Sequence, residues 1–225
     1  MPNRRPERRR HLALMLALLT ACGGSPGSVA SNPAPAPARV TRDSTSAALV
    51  PANLGSLHQD DISIVLQPVG VRATALPLEE SIIRTLAPDS YRSLRGILEA
   101  KRALIAQRAQ MRGTRDPRVW YLKFYGLAPN ARFMPTDLTI TSGGRDYRPF
   151  DVVPITTEFG SQRLQPRDTQ AGLLLFDEGV DVNQNLVVSM GAERNTQWSN
   201  ENDGILSRIE AERIRIRALA GRTNP

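Results

Sequence analysis

Residues 119–127 read VWYLKFYGL, and this stretch decides the predicted fold. Its side chains alternate between a wholly apolar set and a set that carries polar ends. That period of two is typical of a strand with one face in the core and one face near water. The inward set is Trp120, Leu122 and Phe124, and the outward set is Tyr121, Lys123 and Tyr125.

More short strands are predicted on both sides of this one. They cover residues 62–67, 138–140, 173–176 and 186–190. The second of them leads into Gly143-Gly144, which predicts a hairpin because glycine accepts the positive φ of a tight turn. Short strands punctuated by glycine and proline favour a mainly β fold, an antiparallel sandwich of two layers.

A helical insertion at about residues 78–112 is predicted after the first strand. A spacing of four in Leu78, Ile82 and Leu86 predicts a short helix that is stopped at Pro88. A longer helix follows, capped by Asp89 or Ser90, and it is broken by Gly113 and Asp116-Pro117.

The apolar stripe of the longer helix has two interpretations. It packs against its own domain, or it forms a groove for a partner. Lys101 and Arg108 intrude on the stripe and are expected at its margin, with their charged ends in water. The stripe consists of Leu94, Ile97, Leu98, Leu104, Ile105 and Met111.

Residues 201–225 are predicted to form a C-terminal helix, from about 203 to 220, and a tail. Asn202 or Asp203 is the expected cap, and Arg208 and Glu212 form an i,i+4 pair. The apolar face is interrupted. Arg213 falls where the pattern prefers an apolar side chain, and Ile214 falls where it prefers a polar one. The helix docks on the sandwich, self-associates or lies in solvent. The loose apolar stripe is Ile205, Ile209 and Ile216.

The N-terminus has the build of an export signal. A basic head, MPNRRPERRR, precedes an apolar run from Leu12 to Leu19 and small residues at Ala21 and Cys22. The run is much shorter than the ~20 residues that a helix needs to cross a bilayer. Residues 1–21 are therefore predicted to be a cleaved signal peptide.

The four residues Leu19-Thr20-Ala21-Cys22 resemble the lipobox of bacterial lipoproteins. The resemblance implies cleavage before Cys22, acylation of its sulfur, and a stable membrane anchor, because two or more acyl chains hold where one is marginal. The alternative is an ordinary secretory signal with an incidental cysteine. Gly23 in place of aspartate implies, by the same resemblance, a lipid-anchored protein of the cell envelope, with the outer membrane favoured over the inner. Sec and twin-arginine export both stay open.

Residues 22–57 are rich in Gly, Ser, Pro and Ala and are predicted to be a disordered linker. Residues 58–200 are then the sandwich domain with its helical insertion. Most of the formal net charge of +7 leaves with the signal, and the remaining arginines are scattered. The mature chain thus lacks the basic block expected of a nucleic-acid binder, and no nucleic-acid partner is predicted.

The stretch from Val119 to Met190 resembles the immunoglobulin-like (telokin-like) domains of bacterial extracytoplasmic lipoproteins of unknown function. The resemblance rests on VWYLKFYGL, on DLTITSGGRDYRP (residues 137–149) and on LQPRDTQAGLLLFD (residues 164–177). It implies an immunoglobulin-like sandwich and no catalytic residues. Many members have Pro-Gly in the turn where this chain has Pro166-Arg167.

Reactive side chains are scarce in the predicted mature chain. His58 is its only histidine and Cys22 its only cysteine, so neither a serine triad nor a zinc site of imidazole and thiolate is expected. A weak candidate for a calcium site begins after the apolar strand at residues 173–176. Leu186 and Ala192 stand where a calcium loop needs glycine and glutamate. Its ligands would be Asp177, Asp181, Asn183 and Asn185; the alternative is a solvated turn.

These patterns predict a membrane-tethered, non-catalytic interaction or structural module of the bacterial cell envelope, with no cofactor. Its expected partners are the membrane, through Cys22, and an envelope protein. Two alternatives remain, a carrier of a small ligand or lipid and an enzyme that uses carboxylates alone. The adjacent pairs Asp60-Asp61 and Glu79-Glu80 are interpreted as the entry to a strand and the first turn of a helix.

Overall fold

A computed structural model describes residues 49–199 and 203–222, which belong to one compact unit of the chain. The predicted signal peptide, the lipobox with Cys22, the linker up to residue 48 and the expected cap Asn202 lie outside the described residues. Within them the chain is mainly β, with antiparallel sheets and a C-terminal helix, as predicted.

Two antiparallel sheets form the centre of the structure. The larger has the strand order β1 (Ile64–Leu66), β2 (Val71–Pro77), β3 (Arg118–Gly126), β9 (Thr169–Phe176) and β7 (Asp151–Pro154). The smaller has the order β11 (Glu193–Asn195), β10 (Leu186–Met190), β5 (Leu138–Ser142) and β6 (Arg145–Tyr147). A separate ribbon joins β4 (Ala131–Arg132) to β8 (Arg163–Leu164).

Three helices accompany the sheets: α1 (Glu80–Ile83), α2 (Pro88–Arg112) and α3 (Ile205–Arg222). Short 3-10 turns cover Gln59–Asp61, Pro135–Asp137 and Thr157–Ser161. None of the helices in the described residues is long and apolar enough to cross a membrane.

The core lies between the two sheets and is centred on β3. Trp120, Leu122 and Phe124 are fully buried, as their alternation predicted. The Trp120 ring contacts Trp198, at 6.2 Å between ring centroids, and Phe176, at 6.4 Å. Large aromatic surfaces removed from water in this way are the main favourable term in the folding of such a domain.

The two sheets meet at one edge. The Asn195 Nδ2 of β11 donates a hydrogen bond to the main-chain oxygen of Val65 in β1, at 2.9 Å. This bond satisfies a carbonyl of an edge strand that would otherwise be open to another chain. The smaller sheet contains the predicted hairpin, in which Gly143 and Gly144 have φ of 56° and 76° between β5 and β6.

The helical insertion follows the second strand, and the prediction that it follows the first was wrong. β2 pairs along its whole length with β3, from Val71 opposite Gly126 to Pro77 opposite Trp120. The sequence analysis did not assign this strand, because its inward side chains include the small Ala73 and Ala75, which give a weak alternation.

The helix boundaries differ from the predictions at their starts. α1 is only one turn long, and Leu78 and Leu86 are buried outside it. α2 is not capped by Asp89 or Ser90, because it begins one residue earlier with Pro88 in its first position, where the missing amide hydrogen costs nothing. Its predicted end is confirmed, with Gly113 in the left-handed conformation at φ 80°.

α2 covers the outer face of the larger sheet. Every residue of β9 after Thr169 is buried, so both faces of this strand are covered. Arg108 of α2 lies 3.5 Å from Asp151 of β7, and Arg112 lies 3.2 Å from Asp177 just after β9. Most of the predicted stripe therefore packs on the domain, but Met111 is 64% exposed and not part of it.

Residues 49–57, assigned to the linker by the sequence analysis, are packed on the domain. Val50 is buried, and the main chain of Leu57 bonds to that of Thr85 at 3.2 Å. Gly55 lies so close to Thr85 that a Cβ there would sit 2.3 Å from the Thr85 carbonyl carbon. The composition of this segment resembles a linker, whereas its small residues serve close packing.

α3 docks on the domain through Ile205, Ile209 and Ile216, all of which are buried. The reversed order noted in the sequence is real, since Arg213 is buried and Ile214 is 64% exposed.

The side chains on either side of this position also hold α3 in place. Glu212 does not form the predicted pair with Arg208 but accepts hydrogen bonds from Arg215 Nε at 2.7 Å and from the main chain of Ser56 at 2.6 Å. Hydrogen bonds from Arg215 and Ser56 hold the pKa of Glu212 below its usual value.

The turn after Leu164 carries an arginine where the resembling domains have glycine. Arg167 has φ 72°, and Asp168 donates its main-chain N–H to the oxygen of Gln165 at 3.0 Å. This is the third position of a type II turn, which favours glycine because a Cβ is crowded there.

Candidate functional site

A groove of about 540 Å³ lies between the second half of α2 and the start of β3. Its floor is apolar and its edges are charged. The floor is formed by Leu98, Ile105, Ala106, Ala109, Pro117 and Val119, and the edges by Glu80, Arg95, Glu99, Arg102 and Arg115. A volume of this size lies within the range of pockets that hold small ligands.

The sequence of α2 explains why a groove exists here. Leu98, Ile105 and Ala109 are separated by seven and four residues, so they lie on one face of the helix. The two alanines of this face, at 106 and 109, are too short to fill the space above β3. Larger side chains at those positions would close the groove.

The charged edges are held by contacts within the protein. Glu80 Oε2 accepts a hydrogen bond from Arg84 Nε at 2.7 Å, and Arg95 donates to the Tyr91 hydroxyl at 2.6 Å. Arg102 pairs with Glu99 at 2.7 Å. An exposed pair such as Arg102–Glu99 adds little stability, but all three contacts fix the direction of the side chains around the opening.

Arg115 differs from the other arginines of the edge. Its main-chain N–H donates to Glu178 Oε1 at 3.1 Å, but its guanidinium forms no ion pair with any described residue. A cation at the mouth of an apolar groove that has no ion-pair partner in the described part of the chain favours an anionic group in a ligand.

A second, smaller cavity of about 270 Å³ adjoins the groove and shares Glu80, Pro117 and Val119 with it. Its other lining residues include Leu49, Leu78, Ser81, Asp116 and the pair Glu79 and Arg118. The groove and this pocket therefore form one composite site, with an apolar part and an ionisable part.

Glu79 and Arg118 form a loose, largely buried ion pair in the smaller pocket. Glu79 Oε2 lies 3.5 Å from Arg118 Nη1, which lies equally far, 3.5 Å, from Asp116 Oδ2. Only 18% of the Glu79 side chain and 22% of the Arg118 side chain is exposed. Glu79 Oε1 and Arg118 Nε are buried and have no hydrogen-bond partner among the described residues.

Burial raises the pKa of Glu79 to about 7, because the ionised carboxyl loses water and gains only a distant cation. Arg118 opposes the shift, and the charges of Asp181 and Asp116 add to it. Glu79 therefore changes its charge near neutral pH, which makes it the described residue best placed for acid or base chemistry.

The predicted calcium ligands are occupied by donors of the protein itself. Asp177 pairs with Arg112, and Asp181 accepts hydrogen bonds from the main chain of Asn183 at 3.0 Å and from Gln184 Nε2 at 2.9 Å. Asn183 Oδ1 accepts from Arg213 Nη2 at 3.2 Å, and Asn185 is exposed. Over the described ranges, no three His, Cys, Asp or Glu side chains group in a way that could hold a metal ion.

His58 is exposed, and its main-chain N–H donates to Asp61 Oδ2 at 2.7 Å. The sequence analysis placed Glu79 correctly at the start of a helix but did not single it out, and it did not consider Arg118. Two adjacent glutamates look alike in sequence. Nothing local shows that Glu80 lies on the groove edge while Glu79 is buried.

Comparison with known protein families, with curated proteins and with solved structures finds no match to this chain.

Proposed function

We propose that the chain is a lipid-anchored, extracytoplasmic and non-catalytic binding module of the bacterial cell envelope, and that it binds its partner in the groove of α2. The observation that carries the binding role is the apolar floor beside the Arg115 guanidinium, which forms no ion pair within the described residues. The occupant that fits this chemistry is an apolar segment of an envelope protein with an acidic side chain next to it.

The test of the groove uses two alanines of the same helix. Ala106 lines the groove and is exposed, and Ala103 is exposed on α2 but does not line it. We expect Ala106→Glu to fill the groove and repel an acidic segment, so that a cross-linked partner seen with the parent chain falls at least ~10-fold. Ala103→Glu adds the same charge and should keep the partner. Equal recovery with both variants contradicts the groove as the binding surface.

The anchor is proposed from the lipobox resemblance alone and needs its own test. Metabolic labelling with a palmitate analogue should mark the protein in a bacterial host, and Cys22→Ser should abolish both the label and membrane retention. Signal cleavage with an unmodified thiol at Cys22 would favour the ordinary secretory signal. Fractionation of the two membranes then tests the outer-membrane location.

We also propose that the two sheets form an immunoglobulin-like sandwich. Support comes from the antiparallel pairing of all named strands, from the hairpin at Gly143-Gly144 and from the Trp120–Trp198 contact in the core. The helices between β2 and β3 are an addition to that plan. An experimental structure with a different strand connectivity would overturn the assignment.

A second candidate function, the carrier of a small ligand or lipid, is supported by the groove volume of about 540 Å³. Native mass spectrometry of protein from its own membranes separates the two. Extra mass of a few hundred daltons that disappears in Ala106→Glu and persists in Ala103→Glu favours the carrier.

A third candidate, an enzyme that uses a carboxylate, is supported by Glu79 alone. A catalytic carboxyl works best with a pKa near the working pH, and Glu79 has one of about 7 beside an arginine. Loss of turnover in Glu79→Gln without a fall in melting temperature would support this function. The absence of turnover in a broad screen of hydrolase substrates would contradict it.

A further inference from the structure

Three loops meet at the end of the sandwich where β3 finishes, and we call this surface the loop end; it comprises residues 68–72, 125–134 and 163–168. The main chain of Leu127 donates to the oxygen of Gly70 at 2.9 Å, and that of Arg167 donates to the oxygen of Gly126 at 2.9 Å. Gln165 Nε2 donates to Asn130 Oδ1 at 2.8 Å. These bonds hold the three loops together as one surface.

Exposed apolar side chains are concentrated on the loop end. Of the eight large apolar residues exposed in the described ranges, four lie there. They are Val69 at 97% exposure, Leu127 at 53%, Met134 at 48% and Tyr125 at 37%. Single exposed apolar residues are common on any protein, but a cluster on linked loops marks an interaction surface.

Exposed arginines lie on the same three loops as these apolar tips. Arg72, Arg132, Arg163 and Arg167 are exposed, and none forms an ion pair with a residue in the described part of the chain. The acidic neighbours are few. The Asp168 carboxylate accepts the main-chain N–H of Gln165 at 2.9 Å, and Asp137 lines a cavity together with Arg132 and Arg163.

Two of the arginines face each other across a strand pair. Arg132 of β4 lies directly opposite Arg163 of β8. Like charges in this position destabilise a sheet, and Asp137, which lines the same cavity, forms no ion pair with either arginine within the described ranges. An anion between or over the two guanidinium groups would relieve the repulsion. No other strand pair of the described sheets sets two arginines directly opposite each other.

We propose that the loop end docks on a membrane surface that contains anionic phospholipid. Val69, Leu127 and Met134 enter the headgroup region, and the four arginines contact lipid phosphates. Apolar tips and arginines on the same loops match the layered chemistry of a bilayer surface, which is apolar at depth and anionic above. An acidic protein surface would pair with the arginines but would not explain the exposure of Val69, the most exposed apolar side chain of the loop end.

This docking is compatible with a tether at the opposite end of the domain. Leu49 lies beside Arg118, at the start of β3, and the loop end lies at its finish, about 27 Å away at ~3.3 Å per residue. The chain between Cys22 and Leu49 reaches roughly 90 Å when fully extended. The proposed docking therefore agrees with the proposed anchor at Cys22 but does not depend on acylation of Cys22.

The test is co-flotation with vesicles, using the chain from residue 22 onward with Cys22→Ser in every variant, so that the anchor and its failure play no part. We expect binding to vesicles with ~30% phosphatidylglycerol and little binding to pure phosphatidylcholine. The double variant Arg132→Gln, Arg163→Gln should weaken partitioning about 30-fold at low salt, at ~1 kcal/mol per arginine. The triple variant Val69→Ser, Leu127→Ser, Met134→Ser should weaken it at least ~10-fold.

Matched controls place the same changes elsewhere on the surface. Arg145→Gln with Arg148→Gln removes two exposed arginines, and Met111→Ser removes a tip of 64% exposure on α2. Both should bind as the parent does. Val69→Trp adds a fluorophore to a protein whose own two tryptophans are fully buried, and its emission should shift to the blue with anionic vesicles.

Three results would overturn the proposal. One is equal binding to anionic vesicles and to pure phosphatidylcholine vesicles. Another is a loss of binding in the control variants as large as in the loop-end variants. The third is a fall in the arginine variant without any change in the triple variant or in Val69→Trp emission, which would mean charge attraction without docking. If the parent chain does not bind vesicles, and a protein that cross-links to the parent does not cross-link to the arginine variant, the loop end is a protein interface instead.

Discussion

Replacing Glu79 by glutamine should stabilise the protein above neutral pH, although it breaks an ion pair with Arg118. The folded protein holds the Glu79 proton up to about pH 7, whereas the unfolded chain loses it near the ordinary value of 4.5. The contribution of Glu79 to stability is therefore fully present below pH 4.5. It falls as the pH rises from 4.5 to about 7, because folding must then either bind a proton or bury a charge. The substituted glutamine amide is neutral at every pH and escapes this loss.

The size of the effect follows from the shift. Each pKa unit corresponds to 1.36 kcal/mol, so a rise from 4.5 to about 7 sets an upper limit of about 3 kcal/mol on the cost of the buried charge. The carboxyl retains 18% exposure, which places the expected gain of Glu79→Gln at about 2 kcal/mol at pH 8. For a domain of this size that is a rise in melting temperature of about 4–8 °C.

The assay is thermal and urea unfolding of both proteins from pH 4 to 8.5, followed by circular dichroism. The two stabilities should coincide near pH 4 and separate as the pH rises. Glu80→Gln is the control at the neighbouring position; it breaks the partly buried pair with Arg84 and should give no gain at pH 8. A Glu79→Gln variant that is less stable than the parent at pH 8, or that runs parallel to it across the window, would refute the argument from burial.

Three further predictions concern stability, and each is measured by urea unfolding at pH 7. Arg167→Gly should stabilise by about 0.5–1 kcal/mol, because glycine removes the crowding at positive φ; no gain would mean that the turn does not hold that conformation. Gly55→Ala should lower the free energy of unfolding by about 1–3 kcal/mol through overpacking. Gly96→Ala, with open space around it on α2, should raise it by about 0.5–1 kcal/mol. Equal effects would contradict the packing of residues 49–57. Arg213→Met should cost about 2–3 kcal/mol by removing the hydrogen bonds of a buried guanidinium to the Ser81 oxygen and Asn183 Oδ1. Ile214→Ser should cost less than ~0.5 kcal/mol, and the reverse order would contradict the docking of α3.

Local chemistry accounts for the features that the sequence predicted well. The hairpin follows from Gly143-Gly144, since both residues need positive φ. The end of α2 follows from Gly113 for the same reason. The burial of Trp120, Leu122 and Phe124 follows from a strong alternation of large side chains. In each case the signal and the structure that it specifies lie within a few residues.

The features that sequence reasoning missed depend on contacts between distant segments. β2 pairs with β3, where Ala73 lies opposite Phe124 and Ala75 lies opposite Leu122, and these small side chains carry little periodic signal in the sequence. Residues 49–57 pair with residues near Thr85 in a segment that has the composition of a linker. Such pairings become visible only when both partners are known.

The composite site is a stronger case of the same limit. Glu79 acquires its raised pKa from burial and from the charges of Asp181 and Asp116, which lie far from Glu79 in the sequence. The groove arises from two short side chains on α2, and shortness is not a motif. Only the apolar stripe itself was visible, with packing on the domain and a partner groove as rival interpretations. Most of the stripe packs on the domain, and Leu98 and Ile105 of the stripe also line the groove, whose use by a partner stays a proposal.

The two ends of β3 therefore differ in chemistry, and this difference gives the proposals a common geometry. At its start, polar contacts from α3 to Ser81 and Ser56 fasten the segments around the groove and the Glu79 pocket. At its finish, unpaired arginines and apolar tips have no such partners among the described residues. A domain docked by its loop end would hold the groove about 27 Å above the lipid headgroups, at ~3.3 Å per residue of β3. Labelling by a membrane-embedded photoprobe should then mark Val69→Cys and spare Ala106→Cys, and equal marking of both positions would mean that the domain has no fixed orientation on the membrane.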